Sequence, residues 1–261
     1  SIRLVGSEMC IRDSINTRRI GAIPDKCSPT NETLKGECNN SLIDSSDIDL
    51  ALRYTQKSQK NEFGFFSAFE ANSLYSSGRD YFAGRYRRNI SELKGSVGYM
   101  LTAVDRPSIS REAYVHTIDF DFKPSKPTRV YGWLSQSNIK NGPSDIDGTG
   151  ARVVVTRGFS DQLFVLGALN YLDEDFDIND MGYMEENNKI SLGGYLQYIN
   201  PVKDQNSKIS QTIFRVNGGH NRSTEGYGSG LGINTELEFF MRDNSYISLK
   251  CDCTIKPVSY T

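Results

Sequence analysis

The sequence predicts an all-β fold, an antiparallel up-and-down transmembrane β-barrel with about 12 strands in this chain. Three observations predict it. Apolar and polar residues alternate along most segments, these segments are about 9–13 residues long, and short links alternate with longer polar loops. A tilted strand needs about 9–11 residues to cross a membrane, whereas typical strands of soluble proteins have about 5–6. Alternation, length and loop order therefore favour the same architecture.

The alternation is clearest in residues 230–241, where Leu231 and Leu237 fall on one face and Asn234 and Glu236 on the other. The same pattern, less regular in places, predicts strands at residues 47–55, 112–122, 128–136, 189–199 and 245–253. The remaining strands of the count are residues 62–73, 80–89, 95–104, 150–158, 162–172 and 208–220, of which 162–172 is apolar on both faces and 80–89 is rich in arginine. Because successive side chains of a strand point to opposite faces, the predicted sheet has one apolar and one polar face.

Two kinds of connection join these strands. Tight links are predicted at residues 55–61, 90–94, 123–127, 159–161 and 242–244. Longer polar loops are predicted at residues 74–79, 105–111, 137–149, 173–188 and 221–229. Membrane barrels of bacteria have short periplasmic turns and longer extracellular loops. We therefore expect the longer loops to face outward.

Composition excludes some classes of protein. The formal net charge is −2, so electrostatics gives no case for binding nucleic acid. No run of about 18 apolar residues occurs, which excludes a transmembrane helix. A barrel strand alternates apolar and polar residues and averages to near neutral, so this pattern is compatible with a membrane barrel.

The two ends of the chain look foreign to the rest. The segment RLVGSEMCIRDS near the start resembles a translated sequencing adapter, and we expect residues 1–14 and 255–261 to be artefacts of that kind. Residues 15–46 form a polar lead-in, and residues 47–254 form the predicted barrel domain. Cys27 and Cys38 lie in the lead-in. They form either a disulfide with each other or two free thiols, and the sequence is compatible with both.

Three segments resemble a known family: NTRRIG at residues 16–21, FAGRYRRNISELKGSV at residues 82–97 and FDINDMGYM at residues 176–184. They are similar to the outer-membrane β-barrel domain of unknown function, of the 5916 type, that follows a carbohydrate-binding family 9-like domain. The resemblance spans roughly residues 15–250. It implies an outer-membrane location in a Gram-negative bacterium and a preceding carbohydrate-binding domain. It implies no catalytic residue.

The acidic run DEDFDIND carries weak calcium candidates at Asp173, Asp175, Asp177 and Asn179. Oxygen ligands at every second position suit Ca²⁺ when a loop curls around the ion, but the required glycine and closing glutamate are not in register. A solvated loop without metal is the favoured interpretation, so no metal and no cofactor are expected.

A second set of candidates consists of charges on the polar face of the strands. Its members are Arg85, Arg87, Asp119, Asp121, Glu236 and Glu238. In a barrel such residues line the lumen, where ion pairs stiffen the wall or set selectivity for solutes. Both roles remain open.

No motif for a nucleophile, a P-loop or a dinucleotide is present, and His116 and His220 have no spacing that builds a catalytic site. We therefore expect no enzyme activity. The expected function is a membrane anchor or conduit, embedded in outer-membrane lipid and associated with the carbohydrate-binding domain and with polysaccharide or surface-component handling. The alternative is a soluble all-β carbohydrate-binding module or a domain associated with a glycoside hydrolase.

Overall fold

A computed structural model describes residues 19–25, 45–72 and 77–255. It contains twelve antiparallel strands in one sheet, ordered as in the sequence. They are β1 Ile48–Lys57, β2 Asn61–Glu70, β3 Asp80–Ile90, β4 Gly95–Arg106, β5 Arg111–Ser125, β6 Thr128–Asn141, β7 Ser144–Gly158, β8 Leu163–Leu172, β9 Lys189–Pro201, β10 Ile209–Arg222, β11 Gly228–Met241 and β12 Tyr246–Ile255. The prediction of an all-β fold with twelve antiparallel strands is confirmed.

The two edges of the sheet are β1 and β12, and no ladder joins them within the described residues, so the sheet is not closed. A single turn of 3₁₀ helix, Pro107–Ile109, connects β4 to β5. Within these described parts of the chain, no helix is long and apolar enough to cross a membrane.

The chain divides into two compact units. Unit 1 holds the described residues up to Phe120, together with Trp133–Gly150 and Asp173–Asn187. Unit 2 holds Asp121–Gly132, Ala151–Leu172 and the described residues from Asn188 onward.

In unit 1, the pairing of β1 to β4 separates an exposed apolar face from an opposite face. Phe63 pairs with Tyr86, and Tyr86 pairs with Tyr99, so all three share the exposed apolar face. On the opposite face, Ala68 pairs with Tyr81, and both side chains are buried. This separation follows from the two-residue period of a strand.

Unit 2 shows the same division in β8 to β12. Tyr198 of β9 pairs with Phe214 of β10, and both are exposed on the apolar face. Leu249 of β12 is exposed on that face as well and pairs with Leu237 of β11. The residue next to Phe214, Arg215, lies on the opposite face, which carries the charges.

One predicted loop is wrong. Residues 137–149 are not a long loop, because β6 and β7 continue through them to a two-residue turn at Gly142 and Pro143. Gly142 has a φ of 61°, a conformation that glycine adopts without strain. The polar residues of this region form hydrogen bonds between the strands, as in the pair Asn138 and Asp147. Their polarity concealed the strand period from sequence reasoning.

The other connections agree better with the sequence. The tight links after β1, β3, β5, β7 and β11 are confirmed, and the longest connection is the predicted loop 173–188 between β8 and β9. The connection at residues 202–208, between β9 and β10, lies at the strand ends joined by the tight links and is longer than those links. The connections at one end of the strands therefore differ less in length from those at the other end than the sequence indicates.

Candidate functional site

The loop 173–188 packs onto the sheet of unit 1 through Phe176, which is 1% exposed. The Phe176 ring stacks on Trp133, with ring centroids 6.2 Å apart and an interplanar angle of 21°. A Cβ on Gly148 would collide with the loop backbone, and one on Gly150 would lie 2.7 Å from the Phe176 ring. These two glycines of β7 therefore give the loop its close approach.

Met181 of the same loop joins the hydrophobic cluster on the opposite face of unit 1, beside Ala68, Tyr81, Ala83 and Val104. The segment 19–25 also packs there, since Ile20 contacts this cluster. The Arg19 guanidinium donates from Nε to the Gly182 carbonyl over 3.1 Å. Two segments distant in sequence, which we call the plug, therefore cover one part of this face: residues 19–25 and 173–188.

A buried network of arginines and carboxylates holds the plug. Asp180 is its centre, with a side chain 4% exposed. It accepts hydrogen bonds from Arg106 Nη1 at 2.6 Å, Arg111 Nε at 2.9 Å and Arg111 Nη2 at 2.7 Å. Arg111 also pairs with Asp177 at 2.9 Å. The end of β4 and the start of β5 thus bind the loop through Asp177 and Asp180.

The network continues to the other segment of the plug. Arg106 donates two hydrogen bonds to Asp25, of 2.6 and 2.7 Å, and Arg79 pairs with Asp25 at 3.3 Å. Arg79 forms a bidentate pair with Glu70, at 2.7 and 2.9 Å. The Gly21 amide donates to Glu70 over 2.8 Å. Planar bidentate pairs of this kind are among the strongest hydrogen bonds in proteins.

The electrostatics of Asp180 follow from two opposing effects. Burial raises the pKa of its carboxyl group, but the hydrogen bonds and charges of Arg111 and Arg106 outweigh burial and hold the pKa below its ordinary value. Asp180 is therefore ionised, as an acceptor for two cations must be. For Arg79, burial lowers the pKa, but the hydrogen bond to Glu70 and the charges of nearby groups, including Glu70 and Asp25, together outweigh burial, so the pKa lies above its ordinary value.

Sequence reasoning missed this network. Arg79 directly precedes β3, Arg106 ends β4 and Arg111 begins β5. All three lie at the strand ends that the longer connections join. Arginines repeated at strand ends, together with the segment FDINDMGYM, were the available signal. The separation of 74 residues between Arg106 and Asp180 hid their pairing.

The predicted charges of unit 2 do come together. Arg215 Nη1 lies 3.2 Å from Glu236 and 2.6 Å from Glu238, and Lys250 pairs with Glu236 at 2.9 Å. Arg215 Nε donates to Gln197 Oε1 over 3.2 Å. The register explains this arrangement, because Arg215 and Glu236 are direct cross-strand partners.

The remaining predicted charges are also engaged. In unit 1, Arg85 pairs with Asp119 at 2.8 Å, and Arg87 donates to Ser96 Oγ over 2.6 Å. In unit 2, Arg129 pairs with Asp121 at 2.7 Å, and its guanidinium lies 4.7 Å from the centre of the Tyr131 ring. That these residues line a lumen stays a prediction.

Three of the four calcium candidates, Asp173, Asp177 and Asn179, have protein partners for their side-chain oxygens, whereas Asp175 is exposed. Asp177 pairs with Arg111, and Asn179 Oδ1 accepts from the Met184 amide at 2.9 Å and from Arg19 Nη2 at 3.4 Å. Asp173 accepts from the Asp175 amide at 3.2 Å. In the part of the chain that the structure describes, no three His, Cys, Asp or Glu residues are grouped to hold a metal ion. Cys27 and Cys38 lie outside the described residues.

The two histidines bind neutral groups. His116 Nδ1 lies 2.7 Å from the Tyr99 hydroxyl, and His220 Nδ1 lies 3.0 Å from the Gly230 carbonyl oxygen. The arginine–carboxylate pairs, by contrast, join groups of opposite charge through hydrogen bonds. The arrangement is therefore suited to holding segments in place and to presenting a charged surface to solutes.

Fold and site together define an all-β protein with one antiparallel sheet, an exposed apolar face and an opposite face with paired charges. The family model described as "Domain of unknown function (DUF5916)" matches residues 89–260, about two thirds of the chain. The chain belongs to this family. A search of curated proteins found no match to the chain.

Proposed function

We propose that this chain is the β-barrel part of a larger outer-membrane protein of a Gram-negative bacterium. In this proposal it serves as a membrane anchor or conduit beside a carbohydrate-binding domain that handles polysaccharide or another surface component. The observation that carries the proposal is the exposed apolar face. In unit 2 this face includes Leu169, Tyr171, Leu192, Tyr198, Phe214, Leu231, Ile233, Ile247 and Leu249, all of them exposed.

These side chains are neighbours in the sheet. Leu169 pairs with Leu192, Tyr198 with Phe214, and Leu249 with Leu237. Covering one such side chain with an apolar medium is worth about 1.5–3 kcal/mol. Soluble monomers rarely expose contiguous apolar patches above a few hundred Å². A face of this extent therefore supports contact with lipid hydrocarbon.

The opposite face supports the same proposal. Charges that face hydrocarbon are costly, whereas the interior of a membrane barrel is polar. Arg215, Glu236 and Glu238 lie on the face opposite the exposed leucines and are mutually paired. Association with a carbohydrate-binding domain rests on a different support, the resemblance of the segments NTRRIG and FDINDMGYM to barrels that follow such a domain.

The test is fractionation of the full chain, expressed with an export signal in a Gram-negative host. We expect it in the outer-membrane fraction, extractable with detergent and resistant to alkaline carbonate. We also expect the unheated folded protein to migrate differently on a denaturing gel from the heated one. A monomer that remains soluble without detergent would contradict the proposal and favour the soluble carbohydrate-binding module.

A further inference from the structure

We propose that a cavity in unit 1 binds small anionic solutes. The inference specifies which solutes the proposed conduit would serve, and in that respect it rests on the proposed function. The binding itself needs no membrane. The cavity has a volume of about 600 Å³, within the range of about 300–1,000 Å³ that ligand sites occupy.

Eight of the twelve residues that line the cavity lie on the opposite face of β1, β2 and β3. Its lining on this face consists of Arg53, Thr55, Lys57, Glu62, Gly64, Phe66, Ala83 and Arg85. The register places them together, because Arg53 pairs with Phe66, Phe66 with Ala83, and Gly64 with Arg85. The cavity is therefore built from three consecutive strands and needs no rearrangement to form.

The charge of the lining favours anions. Three cationic side chains, Arg53, Lys57 and Arg85, stand against the single carboxylate of Glu62. Arg85 is already engaged by Asp119 at 2.8 Å. The side chains of Arg53 and Lys57 have no hydrogen bond or ion pair within the described residues, so their donors are available. A sulfonate, phosphate or carboxylate group would supply the acceptors they lack, through charge-assisted hydrogen bonds.

One end of the cavity lining lies next to residues that the plug contacts. Ala83 belongs both to the cavity lining and to the hydrophobic cluster that contains Met181, and Phe66 packs against that cluster together with Ile20. At the other end, Lys57 and Glu62 flank the tight link at residues 58–60. Arg53 and Lys57 are exposed, so a solute can reach them from the strand ends that carry this link.

Gly64 provides a way to fill the cavity without disturbing its walls. A Cβ at Gly64 would meet no atom within 4 Å, so a larger side chain has room there. Leucine at this position would occupy the space that a solute needs while leaving every lining charge in place. Loss of binding in Gly64→Leu would therefore report on the cavity and not on the charge of the protein.

The experiment uses the full chain, folded in a non-ionic detergent, and pyranine, a fluorescent dye with three sulfonates, measured by fluorescence anisotropy. We expect saturable binding that weakens with salt. Arg53→Gln and Lys57→Gln should each weaken it about tenfold, the size of one charge-assisted hydrogen bond. Gly64→Leu should abolish it. Lys60→Gln removes a charge from the link outside the cavity and serves as the matched control.

Three results would overturn the inference: wild-type affinity in Gly64→Leu, equal weakening in Lys60→Gln and Arg53→Gln, or equally tight binding of a cationic dye. Circular dichroism verifies the β content of each variant, and recovery of binding in Arg53→Lys separates a charge effect from misfolding. Failure of pyranine to bind a chain that does enter the outer membrane refutes this inference alone. Binding by a chain that stays soluble refutes the membrane proposal alone.

Discussion

Replacement of Asp180 by asparagine tests how firmly the charge network holds the plug. The substitution Asp180→Asn keeps the shape of the side chain and removes one buried negative charge. Arg106 and Arg111 both donate to this carboxylate, at 2.6 Å and 2.7–3.1 Å. The variant leaves these two cations with one fewer counter-charge between them.

The expected size follows from the partners that remain. Removing one partner of a buried ion pair costs about 3–5 kcal/mol. Arg106 keeps Asp25 at 2.6 Å, and Arg111 keeps Asp177 at 2.9 Å, so neither arginine is left unpaired. The loss therefore belongs at the lower end of that range, about 3 kcal/mol of the free energy of unfolding.

The chain contains its own reporter for this measurement. Trp133 is the single tryptophan, and it stacks on Phe176 of the plug. Denaturant titration in detergent, followed by tryptophan emission, measures both unfolding and release of the loop. Asp175→Asn removes the same charge from an exposed site in the same loop and is the matched control. Its midpoint should match that of the wild type.

The reasoning would be refuted if Asp180→Asn and Asp175→Asn had the same midpoint and the same emission maximum. That result would mean that desolvation cancels the benefit of the buried pairs. A shift in Asp180→Asn accompanied by loss of β structure in native buffer would instead show that the network is required for folding. Circular dichroism distinguishes the two cases.

Further predictions concern the pH dependence of stability and substitutions of Phe176, Gly148 and Leu192. The pKa of Asp180 is lower in the folded state than the unfolded value of about 3.9. The contribution of Asp180 to the free energy of unfolding is therefore full above that pH and is lost as pH falls through the folded pKa. Asp180→Asn should flatten this part of the acid-denaturation profile. Phe176→Ala should cost about 3–5 kcal/mol by calorimetry or denaturant titration and shift tryptophan emission to longer wavelength. Gly148→Ala should also release the loop, measured by protease susceptibility, because its Cβ would collide with the backbone at residues 175 and 176. Leu192→Arg should lower the stability of the inserted barrel by about 2–4 kcal/mol in lipid vesicles, whereas Ser191→Arg on the opposite face should cost less; equal effects would contradict the assignment of faces.

Local regularities made much of the fold predictable. The alternation in residues 230–241 identified β11 and placed Glu236 and Glu238 on the face that carries Arg215. The tight link at residues 242–244 gave the hairpin of β11 and β12. Both are properties of neighbouring residues, since a strand period and a turn need no distant partner. The prediction was wrong at residues 137–149 because the strands there are polar, and their pairing is visible only across the hairpin.

The network around Asp180 could not be predicted in the same way. Its members come from the segment 19–25, four strand ends and the loop 173–188, and each separately resembles an ordinary solvated charge. Burial decides their role, and burial depends on how distant segments pack. The glycines at positions 148 and 150 illustrate this, because their small size matters only once Phe176 lies against them.

The sequence by itself determined the class of fold, the number of strands and the division of the sheet into an apolar and a charged face. These follow from the two-residue period of a strand, which is a local property. Only the tertiary structure decided that the loop 173–188 folds onto the sheet, that Asp180 joins Arg106 and Arg111, and that Arg53, Lys57 and Arg85 line one cavity. Such features depend on contacts between residues far apart in the chain, and local patterns do not encode which of them will meet.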